Sequence, residues 1–167
     1  MDAYKEWKKT GEDRVAFLKR AAQIPGIYVP MFYEASYNED GTLADFYPIC
    51  EEAPKKVIKQ VEDKMSDTFY PEKPVVPYMK ATQDRVVLEI QRGCIRGCRF
   101  CQAGQLYRPV RERDVEVLKK YAMEMLKNTG HEEISLSSLS SSDYRSMEEL
   151  VRFLIEEFHG KGVNVSL

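Results

Sequence analysis

The chain has 167 residues, 43% of them hydrophobic and 31% charged, with a formal net charge of −2. This allows one domain, or one domain with an appendage, and excludes a chain that is basic throughout. The first residues lack the apolar core of a signal peptide, and no run approaches the roughly 18 apolar residues of a membrane span. We therefore expect a cytoplasmic protein with no membrane partner.

The amino-terminal part opens with a helix and a hairpin. Apolar spacing predicts a helix over residues 2–22, which Gly11 can split. Two strand-like runs, 31–37 and 42–49, flank a turn that ends in Gly41, a pattern that favours a β-hairpin.

The next stretch predicts a short amphipathic helix over residues 53–65. Three prolines within 71–77 then favour an extended connector. Residues 1–80 contain no chemical motif, so we expect a helical and hairpin linker subdomain that packs on the outside of a second domain, residues 81–167.

From residue 85 onward, strand and helix patterns alternate. Such alternation indicates an α/β fold of parallel strands with right-handed crossovers. The predicted elements are a strand over 85–91, a helix over 113–128, a strand over 133–138, a helix that starts at a capping box Ser146–Glu149 and stops at Gly160, and a strand over 163–167.

Three cysteines, Cys94, Cys98 and Cys101, follow the first of these strands within eight residues. A closed structural zinc site needs four ligands, and disulfides use cysteines in pairs. A cubane iron–sulfur cluster has four irons, so three thiolates leave one iron open for another ligand. The spacing therefore favours an iron–sulfur site with an open position.

Two structural alternatives are open. A zinc site could be completed by His131 or Cys50, or the three thiols could simply be close in a core. Cys50 stands apart in the sequence and is expected to be a packed thiol. His131 and His159 stand where helical segments end, and we assign neither a catalytic role.

The cysteine spacing, with Phe100 just before the last cysteine, resembles the cluster motif of the radical S-adenosylmethionine (SAM) enzymes. The longer strings 92–104, 107–113 and 134–144 are similar to a bacterial subfamily that carries a cobalamin-binding-like domain ahead of the catalytic one. The resemblance implies a partial (β/α) barrel, of which this chain would supply about the first three β/α units, preceded by a small α+β linker segment. We therefore expect a fragment that is inactive alone.

The resemblance also implies cofactors and their contacts. Cys94, Cys98 and Cys101 would ligate a [4Fe-4S] cluster, and SAM would occupy the fourth iron. Phe100 would pack beside the adenine, and serines at the end of the second strand would lie near the methionine amino group. The implied cofactor-binding positions are Phe100, Gly104, Ser137, Ser138 and Ser140. This chain has serines where many members have Gly-Gly-Glu.

The implied reaction is cleavage of SAM to a 5′-deoxyadenosyl radical that abstracts hydrogen from the substrate. The resemblance to cobalamin-linked relatives suggests methyl transfer, whereas the arginines between residues 92 and 113 suggest RNA modification, with an RNA or other phosphate-bearing target. The implied partners are an electron donor such as flavodoxin or ferredoxin and a substrate that could be RNA, with cobalamin as a cofactor of the full-length protein.

Six arginines lie between residues 92 and 113, against one acid, Glu112. Positive charge near cluster sulfurs raises a reduction potential, and arginine grips carboxylates in a bidentate manner. A solvated basic face and a phosphate-binding surface are the other interpretations. The second would make the chain a non-catalytic, metal-stabilised module that binds nucleic acid.

Overall fold

The computed structural model describes residues 1–79 and 81–166. The chain divides into two compact units, Met1–Val61 and Glu62–Leu167. Residues 62–79 thus belong with the second unit, although the sequence pattern placed the domain limit at residue 80. The predicted role of residues 1–80 as a linker subdomain stays a prediction.

The first unit begins with two helices, α1 (Asp2–Thr10) and α2 (Arg14–Ala22). Gly11 ends α1 with φ 65°, a conformation that a residue with a side chain adopts only at a cost. The Asp13 carboxylate then accepts the backbone N–H of Val15 at 2.9 Å and caps α2. The predicted split of the first helix at Gly11 is confirmed.

An antiparallel hairpin follows, formed by β1 (Tyr33–Tyr37) and β2 (Leu43–Pro48). Gly41 in its turn has φ 81°, as the predicted hairpin requires. The small core of this unit consists of Ala22, Val29, Phe32 and Ala53.

The helix predicted over residues 53–65 is wrong, because the described residues there form no helix apart from a single 3-10 turn, Met65–Asp67. Val57, Ile58 and Val61 are β-branched, which lowers helix propensity, and so short a helix depends on packing for its stability. Ala53 packs in the core of the first unit, whereas Met65 is buried in the second unit, so the two buried ends of the stretch do not share one core.

The second unit contains the strand–helix alternation that the sequence predicts. Its elements are β3 (Val86–Glu89), β4 (Gln91–Arg92), α3 (Gln102–Leu106), β5 (Arg111–Glu112), α4 (Val115–Thr129), β6 (Glu133–Ser137), α5 (Met147–Phe158) and β7 (Asn164–Ser166). Strands β3, β6 and β7 form a parallel sheet in that order. The α/β class is confirmed, and the barrel stays a prediction.

Two details differ from the predicted pattern. The single strand expected over 85–91 is interrupted at Ile90, whose N–H donates to the Ser137 carbonyl and whose carbonyl accepts from Arg113 N–H. Ser146 precedes α5, but within the described part of the chain it makes no side-chain capping bond, so the predicted capping box does not form there. The position of Leu167, included in the last predicted strand, lies outside the described residues.

One face of the parallel sheet packs against α4 and α5. Val86, Leu88 and Ile134 on this face are fully buried, together with Leu118, Leu150 and Leu154 of the helices. The positions that alternate with these along β3 and β6 are mostly polar. Glu89 pairs in register with Ser137, and the apolar Val87 pairs with Ser135. None of the helices in the described part of the chain is long and apolar enough to cross a membrane.

Candidate functional site

The cysteine loop lies beyond the carboxyl end of β3, the edge at which parallel α/β folds place their active sites. Antiparallel pairing of β4 with β5 joins the start and the end of this loop, Gln91 to Glu112 and Arg92 to Arg111. At Gly93, with φ 86°, an added Cβ would lie 2.7 Å from the Tyr107 carbonyl oxygen. Only glycine fits where the two ends of the loop come this close.

The three predicted cluster ligands are free thiols with different exposure. Cys94 is buried, Cys98 is exposed and Cys101 is half-buried. The sulfur of Cys94 accepts the backbone N–H of Arg96 at 3.4 Å, and that of Cys101 accepts the N–H of Gly104 at 3.4 Å. Donated N–H groups of this kind stabilise thiolates and cluster sulfurs.

No group of three or more His, Cys, Asp or Glu residues among those described lies close enough to hold a metal ion, so the three cysteines are not gathered at one point. The donor set itself fits an iron–sulfur cluster. It consists of soft sulfur ligands on one short loop, two of them already accepting backbone N–H groups.

The two residues considered as a fourth zinc ligand belong to other parts of the fold: His131 to the amino edge of the sheet and Cys50 to the first unit. His131 sits just before β6, at the amino edge of the sheet, with its Nδ1 3.5 Å from Asp84 Oδ1. Cys50 belongs to the first unit, where its sulfur donates to Glu52 Oε2 at 2.7 Å. His131 is therefore at the edge opposite the cysteine loop.

The residues expected to contact SAM fall into two groups. Phe100 is 92% exposed, whereas Gly104 is buried within α3. Ser137 ends β6, and Ser138 and Ser140 follow it in a hydrogen-bonded loop. In that loop Ser140 N–H donates to Ser138 Oγ at 3.1 Å, and Ser140 Oγ donates to Asp143 Oδ2 at 2.7 Å.

A cleft of about 310 Å³ lies at this carboxyl edge. Two predicted cofactor-binding residues, Ser137 and Ser138, line it, but Phe100, Gly104, Ser140 and the cysteines do not. The remaining lining residues are Glu89, Gln91, Arg92, Gly93, Tyr107 and Leu139. Among these, sequence reasoning gave no site role to Glu89, Gln91, Tyr107 or Leu139. The sequence signal that could have indicated Gln91 is the presence of a glutamine at the end of an apolar strand.

Arg113 has a structural position rather than an exposed one. Its side chain is 1% exposed and lies over the rings of Tyr70 and Tyr121, with the guanidinium carbon 4.9 and 5.7 Å from their centroids. It donates to the carbonyls of Met65 and Glu89. Arg113 thus holds the segment before β3 against the sheet.

Two further arginines pair with carboxylates outside the 92–113 stretch. Arg92 makes a bidentate contact with Glu89, and Arg96 makes one with Asp143. Hydrogen bonds from Ser140 and Arg96 hold the pKa of Asp143 below its ordinary value. The excess of positive charge read from the local sequence is therefore partly neutralised in three dimensions.

Comparison with known protein families gives a match that includes the cysteine loop. The family model of the radical SAM superfamily matches residues 88–167, so a radical SAM superfamily domain is detected there. The match covers the end of β3, the cysteine loop and strands β6 and β7, and it points to an enzyme family.

One curated relative shows how much of a longer protein this chain covers. An uncharacterized protein of Methanocaldococcus jannaschii is 39% identical over 80 residues, which are 48% of this chain and 17% of that protein. The chain thus spans about a sixth of the length of the relative.

Proposed function

We propose that this chain is part of a radical SAM enzyme that binds a [4Fe-4S] cluster through Cys94, Cys98 and Cys101. The observation that carries the proposal is the three-cysteine loop at the carboxyl edge of a parallel sheet, inside the segment that matches the radical SAM superfamily. When bound, the cluster and SAM supply a 5′-deoxyadenosyl radical that takes a hydrogen atom from the substrate.

The residues of this chain hold and orient these groups. The cysteine thiolates bind iron, and the N–H groups of Arg96 and Gly104 stabilise charge on two of the sulfurs. Ser137 and Ser138 line the adjacent cleft, and there they would contact the amino-acid part of SAM. The Arg96–Asp143 pair links the cysteine loop to the serine loop, and so fixes one relative to the other.

The finer expectations from the sequence belong to the whole protein. We propose an upstream cobalamin-binding-like domain and an electron donor such as flavodoxin or ferredoxin on the resemblance alone. RNA modification and methyl transfer are proposals of the same standing. The pairing of Arg92, Arg96 and Arg113 leaves less free positive charge for the alternative, a nucleic-acid-binding module, than the sequence suggested.

Anaerobic iron–sulfur reconstitution of this 167-residue chain tests the proposal. The expected iron content is about four per chain with visible absorption, as a cubane cluster requires. Cys98→Ala should abolish cluster retention; because Cys98 is exposed, this change leaves the core intact.

Cys50→Ala is the matched control and should leave the iron content unchanged, since Cys50 lies in the first unit. Equal loss of iron in both variants contradicts the ligand assignment. Tight zinc binding by a colourless protein, with salt-sensitive RNA binding, would support the nucleic-acid module instead.

A further inference from the structure

Arg96 connects the cysteine loop to a distant part of the chain. It lies between Cys94 and Cys98 in the sequence, and its guanidinium reaches Asp143, 47 residues further on. Nε donates to Asp143 Oδ2 at 2.8 Å, and Nη2 donates to Oδ1 of the same carboxylate. Two parallel bonds of this kind fix the direction of the guanidinium as well as its distance from the carboxylate.

The same arginine lies beside the predicted cluster ligands. Its backbone N–H donates to the sulfur of Cys94 at 3.4 Å. The hydrogen bonds and the charge of Asp143 raise the pKa of Arg96, and smaller contributions in the same direction come from Cys94 and Cys98. The positive charge of Arg96 is therefore within electrostatic reach of two of the three sulfurs.

Asp143 is the firmly held member of the pair. Its side chain is 10% exposed, whereas that of Arg96 is 57% exposed. Ser140 Oγ donates to Asp143 Oδ2 at 2.7 Å, and the backbone N–H of Asp143 donates to the Ser140 carbonyl at 3.1 Å. The next residue, Tyr144, is buried and donates its hydroxyl to the Arg113 carbonyl. The position of the carboxylate is thus fixed from the side of the sheet.

The ion pair has a larger effect on the position of the loop than on the stability of the fold. Residues 95–100 are all exposed, so hydrophobic packing does not hold this part of the loop. An ion pair with an exposed member contributes little to the free energy of unfolding. Outer groups that orient metal ligands, in contrast, have large effects on metal binding.

We propose that Asp143 is a positioning residue for the cluster site. Through Arg96 it holds the Cys94 end of the loop in place while iron binds, and it neutralises the arginine charge that lies beside the sulfurs. This inference rests on the proposed function, since the cluster is the one assigned to Cys94, Cys98 and Cys101. It assigns a role toward that cluster to a residue that lies outside the cysteine loop.

Anaerobic reconstitution followed by addition of an iron chelator measures how firmly each variant keeps its cluster. Asp143→Asn retains the shape of the side chain and removes its charge, and Arg96→Gln removes the cation. Each variant should release iron about tenfold faster than the parent chain, because each weakens the bond that orients the loop.

A redox titration followed by electron paramagnetic resonance separates positioning from general structural damage. Asp143→Asn leaves the arginine charge uncompensated and should shift the reduction potential of the cluster to a more positive value. Arg96→Gln leaves the carboxylate uncompensated and should shift the potential to a more negative value. A pair with a merely structural role would not give shifts of opposite sign.

Glu148→Gln is the matched control, because Glu148 pairs with Arg152 on the exposed surface of α5. It should leave both iron release and the reduction potential unchanged, and the melting temperature of the iron-free chain should be the same in all three variants. The exposed Arg96 keeps the test valid if Asp143→Asn does not fold.

Three results would overturn the inference while the parent chain keeps its iron. They are iron release as slow as in the parent in the variants of both Arg96 and Asp143, potentials that shift in the same direction, and a lowered melting temperature in both variants. A parent chain that takes up no iron contradicts the proposed function, and the inference with it.

Discussion

The two edges of the parallel sheet differ in how fully their polar side chains are hydrogen-bonded. At the amino edge Arg85 Nη1 donates to Glu133 Oε1 at 2.6 Å, and His131 lies against Asp84. The same Glu133 carboxylate accepts from Ser166 Oγ, at the end of β7, at 2.9 Å. The Nε of Arg85 has no partner among the residues that the structure describes, but the guanidinium keeps its ion pair with Glu133. Polar side chains here mostly satisfy one another.

The carboxyl edge keeps groups that the fold does not satisfy. The carboxamide of Gln91 has no partner among the described residues, Phe100 is almost fully exposed, and Cys98 is an exposed thiol. Below this surface, Arg113 is firmly held. The polar groups of the amino edge thus stabilise the sheet, whereas the carboxyl edge combines the buried, hydrogen-bonded Arg113 with an exposed surface.

The largest loss of stability should come from replacing Arg113, the buried cation below the carboxyl edge. Arg113→Met deletes a buried cation and leaves the carbonyls of Met65 and Glu89 without its N–H groups. We expect a loss of about 3 kcal/mol in the free energy of unfolding. Denaturant titration followed by circular dichroism measures it.

Arg85→Met at the amino edge is the control for that variant. The Arg85–Glu133 pair is partly exposed, with side-chain exposures of 25% and 35%, so its loss should cost about 1 kcal/mol or less. Equal losses of unfolding free energy in the two variants would contradict the distinction between the buried Arg113 and the partly exposed Arg85–Glu133 ion pair.

A pair of glycines gives the next largest effect. Gly93 and Gly130, at the carboxyl and amino edges, have φ 86° and 71°. An added Cβ at Gly93 meets two backbone oxygens within 3 Å, whereas at Gly130 it meets nothing within 4 Å. Gly130→Ala should cost about 1 kcal/mol through its backbone conformation alone.

Gly93→Ala adds a steric clash with rigid backbone and should cost about 2–3 kcal/mol in the same denaturant titration. It should also lower the iron content after reconstitution, because Gly93 directly precedes Cys94. A Gly93→Ala protein as stable as Gly130→Ala would show that the loop ends are not closely packed.

The smallest effect concerns the hydrogen bond between the side chain of Tyr144, just before α5, and the backbone of Arg113, just after β5. The Tyr144 hydroxyl donates to the Arg113 carbonyl at 2.8 Å, and burial raises the pKa of Tyr144 from 10.0 to about 12. The folded state then binds more protons than the unfolded state between these two values. Stability from this group is complete below pH 10 and is lost as the pH rises toward 12.

Tyr144→Phe should lower the free energy of unfolding by about 1 kcal/mol at pH 8, since one hydrogen bond is lost. Between pH 10 and 12 the variant should lose less stability than the parent. An identical pH profile in both proteins would contradict the assignment to Tyr144, and Tyr37→Phe, at an exposed site of the hairpin, serves as control.

Local patterns in the sequence were enough for much of the fold. Alternating strand and helix patterns after residue 85, the hairpin around Gly41 and the break at Gly11 are confirmed. The cysteine spacing identified the region that matches the radical SAM superfamily. These features depend on residues close in the chain, so their signals are readable without a partner.

Other features were decided by contacts between residues far apart in the chain. The predicted helix over 53–65 is wrong because its two buried ends, Ala53 and Met65, belong to different units. Glu89 and Asp143 neutralise arginines that looked unpaired, and Asp143 reaches Arg96 from 47 positions away. The isolation of the Gln91 carboxamide likewise exists only once the sheet and its loops enclose it. The sequence alone determined the spacing of the three cysteines and the order of the elements around them. Tertiary structure decided which charged side chains pair with each other and which buried polar group has no partner among the described residues, because pairing and burial depend on distances that chain order does not set.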